Sequence, residues 1–107
     1  MVVRRFDVFR NPSVASTKKM PYFLVVQSDL LDELDTCVVL PLARVQAAKG
    51  SAAARLNPQF EVENIAVVQL TQLIAAVPVD SLRKHVVNLE SQREAILRAL
   101  DFLFSGI

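Results

Sequence analysis

The 107-residue sequence predicts a mainly β or α+β fold, most economically a small barrel or two packed sheets with one helix laid across an opening. Short runs rich in aromatic and β-branched residues, separated by turn signals, fill most of the chain. A capped run with apolar residues three and four apart closes it. Hydrophobic residues make up 52% of the sequence and charged residues 21%, so there is enough apolar surface for a core, and one domain is expected over residues 1–107.

In "VVRRFDVFR" the apolar Phe6 and Val8 flank Asp7, and Phe9 follows on the opposite face, which predicts a half-buried strand ended by Asn11-Pro12. Residues 13–19 read as a polar loop. "YFLVVQSDLLD" is short and rich in aromatic and β-branched residues, which predicts a central strand whose far end carries Leu30 and Leu31. "TCVVLPLA" predicts a third strand, with Pro41 marking a bulge or an edge near its end. Residues 44–57 are alanine-rich around Gly50-Ser51 and read as weak helical turns or a surface loop. Residues 59–79 predict a short strand, a hairpin turn at Glu63-Asn64, and a long strand up to Pro78, with helix as the rival reading.

"VDSLRKHVVNLE" reads as a short helical turn leading into the clearest helix. There, "SQRE" matches a capping box of Ser91 with Glu94, ahead of Ile96, Leu97, Leu100, Leu103 and Phe104 at helical spacing. A helix of about thirteen residues, close to 20 Å long, is expected to reach Phe104.

The charge balance excludes several function classes. Twelve Lys and Arg against eleven acids leave a formal +1, so no overall field draws the protein to nucleic acid or anionic lipid. The pairs Arg4-Arg5, Lys18-Lys19 and Arg83-Lys84 read as solvated surface charge. Cys37 is the only cysteine and lies in an apolar run, which points to the core. With no signal-peptide pattern and no spanning segment, a soluble cytoplasmic protein is expected.

His85 is the only histidine, which argues against a zinc site and favours a structural role on a helical turn. Gly50 and Gly106 are the only glycines, too few for a phosphate-cradling loop. Asp29, Asp32, Glu33 and Asp35 cluster without calcium-loop spacing and read as a solvated turn. No metal, cofactor or catalytic residue is expected, although a nuclease site combining Arg55, Thr71 and Ser28 stays open. The closing "DFLFSGI" also supports two readings. Gly106 ends the helix in a left-handed cap, with Ile107 folding back on Phe102 or Leu103, or the helix end offers an apolar tip to a partner groove.

The stretches "VVQSDLLD" at 25–32, "VVLPLA" at 38–43, "VPV" at 77–79 and "AILRALDFLFSGI" at 95–107 occur in the order and spacing of the CcdB toxins of bacterial toxin-antitoxin modules. The chain resembles that family along essentially its whole length. The resemblance implies a homodimer of SH3-like small β-barrels, each with a C-terminal helix, a fold shared with the MazF ribonuclease toxins. It also implies a non-enzymatic function: binding the A subunit of DNA gyrase and holding that enzyme with its DNA cleaved, until a CcdA-like antitoxin wraps the toxin dimer and removes it.

Carried over by matching motif, the gyrase-binding residues are Leu30, Leu31, Asp101, Phe104, Ser105, Gly106 and Ile107. The sequence has no tryptophan, and Ser105 stands where the best-known family member has one, which leaves apolar contact to Leu30, Leu31 and Phe104. By analogy, the alanine-rich segment 44–57 meets the antitoxin. A MazF-like endoribonuclease and a dimer that binds only antitoxin are the alternatives on the same fold.

Overall fold

The computed structural model describes residues 2–47 and 54–106. Its strands are β1 (Asp7–Arg10), β2 (Tyr22–Val25), β3 (Thr36–Arg44), β4 (Gln59–Val62), β5 (Ile65–Gln69), β6 (Ala75–Pro78) and β7 (His85–Asn88), followed by helix α1 (Arg93–Ser105). All strand pairs are antiparallel, in the order β4-β5-β3-β2-β1-β7, with β6 also paired to β3. The sheet curls into a half-barrel with α1 packed against it, an α+β small barrel as the sequence predicts.

The curl turns on β3. One flank of this nine-residue strand pairs with β2, while the other pairs first with β6 through Thr36–Val39 and then with β5 through Leu42–Arg44. Pro41 sits where that second flank changes partner. Its carbonyl accepts from the Leu70 N–H at 2.9 Å, so its hydrogen-less nitrogen faces the same side, at the gap between the two ladders. The expected bulge or edge is therefore a change of partner within a central strand, and no ladder bond is lost to the proline.

Alternation along the strands builds a core on each face. Tyr22 and Leu24 of β2 meet Leu40 and Leu42 of β3 beneath Ile96 of α1, together with Phe6, Val8 and Leu89. Phe9, Val25, Cys37, Val39 and Leu82 form a second cluster on the other face. Cys37 is buried as predicted, and burial pushes its thiol pKa up.

Several expectations are corrected. The first strand covers only Asp7–Arg10, because Phe6 takes a left-handed backbone (φ 73°) that lets its N–H reach the Val25 carbonyl at 2.7 Å and its carbonyl take the Leu89 N–H at 2.8 Å. The second strand stops at Val25, and Leu30 and Leu31 lie beyond it on a 3-10 turn, Asp29–Leu31. Glu63 and Asn64 do form the hairpin turn, both with positive φ (52° and 63°), as a tight antiparallel connection requires.

The long strand expected after that hairpin is broken by a 3-10 turn at Thr71–Leu73. Polar side chains cause the break: the Thr71 hydroxyl donates to the Leu56 carbonyl, and the Asn57 amide donates to the Gln69 carbonyl at 2.9 Å and to Gln72 Oε1 at 2.7 Å.

The helical turn expected before the final helix is a 3-10 turn, Val79–Ser81, followed by strand β7. His85 is thus on a strand, its Nε2 2.9 Å from Oδ1 of the buried Asp7. The Asn88 amide donates to the same oxygen at 3.0 Å, and the Arg4 N–H donates to Oδ2 at 2.8 Å. The His85 and Asn88 bonds lock β7 to the edge of β1, and the Arg4 bond fixes the Asp7 carboxylate in place. Of the segment 44–57, Val45–Ala47 form a 3-10 turn, while 48–53 lie outside the described residues.

Candidate functional site

Helix α1 forms because its apolar residues recur on one side. Ile96 and Ala99 are fully buried, Ala95, Leu97, Leu100, Phe102 and Leu103 half-buried, and Glu94, Arg98, Asp101 and Phe104 form the outward stripe. The predicted capping box does not form: Gln92 is the N-cap residue and makes no side-chain capping bond. Ser91 and Gln92 instead belong to a 3-10 turn, Glu90–Gln92, where Asn88 Oδ1 accepts the Glu90 N–H at 2.9 Å. Having the same chemistry as a cap, Asn88 intercepts the chain before Ser91 can act.

At the other end, Gly106 is left-handed (φ 71°) and its N–H donates to the Phe102 carbonyl at 2.9 Å. The Arg55 guanidinium lies 4.5 Å from the Phe102 ring centroid and clasps the same turn from the side. Ile107, expected to fold back on Phe102 or Leu103, lies outside the described residues.

This last turn departs from what helix stability alone favours. Phe104 is 70% exposed, and Asp101, Ser105 and Gly106 are exposed beside it. No basic residue in the last turn offsets the negative end of the helix dipole, and Asp101 stands close to it. An ordered, capped turn thus carries an uncovered aromatic ring and an unfavourably placed acid.

Leu30 and Leu31 occupy a separate turn. The Ser28 hydroxyl accepts the Leu30 N–H at 3.1 Å, the Gln27 amide donates to the carbonyls of Leu31 and Thr36, and Asp29 accepts the Arg5 N–H at 2.8 Å. Leu30 is 92% exposed. The structure therefore brings Asp101, Phe104, Ser105 and Gly106 together. Among the described residues, no hydrogen bond or apolar cluster joins them to Leu30 and Leu31. Leu34 and Leu73 are further exposed apolar residues outside the predicted set.

A model of the CcdB protein family matches residues 5–106, so the match runs from β1 through the Gly106 cap. The chain belongs to the CcdB family. It is therefore a toxin of the toxin-antitoxin type, on the barrel-like fold described above. In this CcdB-family chain the residues weighed for a nuclease each have a structural contact, and among the described residues no hydrogen bond joins their side chains. Ser28 caps the 29–31 turn, Thr71 is fully buried, and Arg55 stacks on Phe102. In the acidic run, Asp29 holds the Arg5 amide while Asp32, Glu33 and Asp35 are exposed, as for a solvated turn.

One polar constellation was not foreseen. Glu63, on the β4-β5 hairpin, accepts from the Tyr22 hydroxyl at 2.7 Å and from Arg10 Nη2 at 2.9 Å. Burial, followed by the hydrogen bond and charge of Glu63, pushes the Tyr22 pKa up to about 12. The contacts span 41 and 53 residues of sequence, and no local pattern announces them. They tie the hairpin to β1 and β2. No helix among the described residues is long and apolar enough to cross a membrane.

Proposed function

We propose that this protein, as a single CcdB-like toxin domain over residues 1–107, binds the A subunit of DNA gyrase and holds the enzyme with its DNA cleaved. The contact surface in this reading is the end of α1, Asp101, Phe104, Ser105 and Gly106, continued by Ile107, with Leu30 and Leu31 as a second apolar contact. A CcdA-like antitoxin removes it, and the setting is the cytoplasm. The mechanism uses no catalytic group and no cofactor; it works by occupying a surface.

The observation that carries this reading is Phe104, 70% exposed on a helix turn that is itself hydrogen-bonded and capped. A ring held on an ordered element loses little freedom on docking, so more of its apolar contact appears as affinity. Ser105 keeps the tip slim, and Phe104 takes the role of aromatic anchor, the type of residue that carries about 2 kcal/mol or more at an interface. In a homodimer two such tips are presented by a two-fold axis to a two-fold enzyme, which raises the effective concentration of the second.

The test is a gyrase cleavage assay on supercoiled DNA with purified protein. Accumulation of linear, protein-linked DNA that a CcdA-like antitoxin reverses supports the reading. Unchanged gyrase, together with RNA cut by the protein alone, rejects it in favour of a ribonuclease.

A further inference from the structure

The pair Arg83-Lys84, read from sequence as solvated charge, gains a third cation in the fold. Arg10, at the end of β1, sits across the strand pair from Lys84, its N–H donating to the Lys84 carbonyl at 3.0 Å. An irregularity in the β1-β7 register creates this pairing: Val8 lies opposite Val87 but Phe9 opposite His85, so the chain skips Val86 and Arg10 meets Lys84. Like charges directly across two strands are destabilising, and bulges of this sort gather beside functional sites, where they re-aim side chains.

Arg10, Arg83 and Lys84 line a cleft of about 370 Å³ together with Asn11, Pro12, Thr17 and Ser81. Its walls are set in advance. The Asn11 side chain bonds Ser16 Oγ, the Met20 carbonyl and the Ser13 N–H, fixing the loop, and Arg83 Nε donates to the Asp80 carbonyl at 3.0 Å, fixing the guanidinium stem. Glu63 is the only carboxylate bound to this group among the described residues; it reaches Arg10 alone and is shared with Tyr22.

We propose that this cleft binds a small phosphate-bearing molecule, its oxyanion held by Arg83, Lys84 and Arg10 with the Thr17 hydroxyl at the rim; the Ser81 hydroxyl donates to the Pro78 carbonyl at 2.7 Å and only shapes the wall. Guanidinium forks and an ammonium with a nearby hydroxyl suit a tetrahedral oxyanion. A nucleic-acid backbone fits less well, because a formal net charge of +1 provides no long basic track.

The experiment is an NMR titration of the ¹⁵N-labelled full chain with inorganic phosphate, with glycerol phosphate, and with chloride at matched ionic strength. Saturable shifts of the Asn11, Arg83 and Lys84 amides by both phosphates and not by chloride are expected. The Arg83→Ala/Lys84→Ala double variant should weaken the affinity about tenfold or more, and Lys18→Ala/Lys19→Ala about twofold or less. Lys84→Ala alone, a surface change, serves as the second variant and should weaken it severalfold. Shifts that do not saturate, that chloride reproduces, or that survive in the variants overturn the proposal. So does a DNA duplex that binds more tightly through the same residues with a steep salt dependence.

Discussion

In α1, Ile96 and Ala99 are sealed against the curled sheet, whereas Phe104, about two turns further on, has most of its surface in solvent. Both regions belong to one helix, and both are apolar in sequence. The difference lies in what meets them: Leu24, Leu40, Leu89 and their neighbours surround Ile96, while among the described residues the last turn is held by the Gly106 cap, the Arg55 clasp and the half-burial of Phe102 and Leu103. Stability is thus concentrated at one end of α1, and the surface available to a partner at the other. Substitutions separate the two.

The largest effect is expected at the anchored end. Ile96→Ala leaves a cavity in a fully packed site and should cost about 2–5 kcal/mol, read as a shift in the chemical-denaturation midpoint. Antitoxin binding and toxicity should fall together, because the barrel itself loosens.

Tyr22→Phe comes next, at about 1.5 kcal/mol, the net loss of one hydrogen bond to a carboxylate that stays in contact with water and with Arg10. Its pH signature is specific. The folded-state pKa is raised from 10.0 to about 12, so the stability this group contributes is fully present below pH 10 and is lost as pH rises through about 12. Tyr22 is the only tyrosine, so tyrosinate absorbance against pH reads it directly, and Tyr22→Phe should remove that limb of the alkaline denaturation curve.

A smaller effect is expected at the exposed end. An added Cβ at Gly106 meets no heavy atom within 4 Å, so Gly106→Ala bears only the left-handed backbone cost, about 1 kcal/mol. Faster amide exchange confined to the last turn of α1 would confirm that the cap is local.

Legibility in sequence followed the range of the interactions. The helix, the Glu63-Asn64 turn and the aromatic and β-branched runs that become β2 and β3 are local patterns, and they read as the elements the structure shows, apart from the end of β2. Strand β7 was misread because "HVVN" is made a strand by Asp7, at the far end of the chain, which binds both His85 and Asn88. The break at Thr71 arises from bonds to Leu56 and Asn57, and the lost capping box from Asn88 acting first. Of the candidate site, Asp101, Phe104, Ser105 and Gly106 are named through the family resemblance, and the structure places them on or just after the last turns of α1. Leu30 and Leu31 read as the end of a strand because their apolar character mimics one, yet Ser28 caps them into a turn. The cluster of Arg10 with Arg83 and Lys84 depends on strand register and was not readable locally.

The most direct measurement pairs the stability of Phe104→Ala with its action on gyrase. The unfolding free energy should stay within about 0.5 kcal/mol of the parent, as for an exposed side chain, while the concentration needed to trap cleaved DNA rises about tenfold or more. A variant that traps cleaved DNA as well as the parent, or that unfolds as readily as Ile96→Ala, would contradict a helix end held in place for a partner.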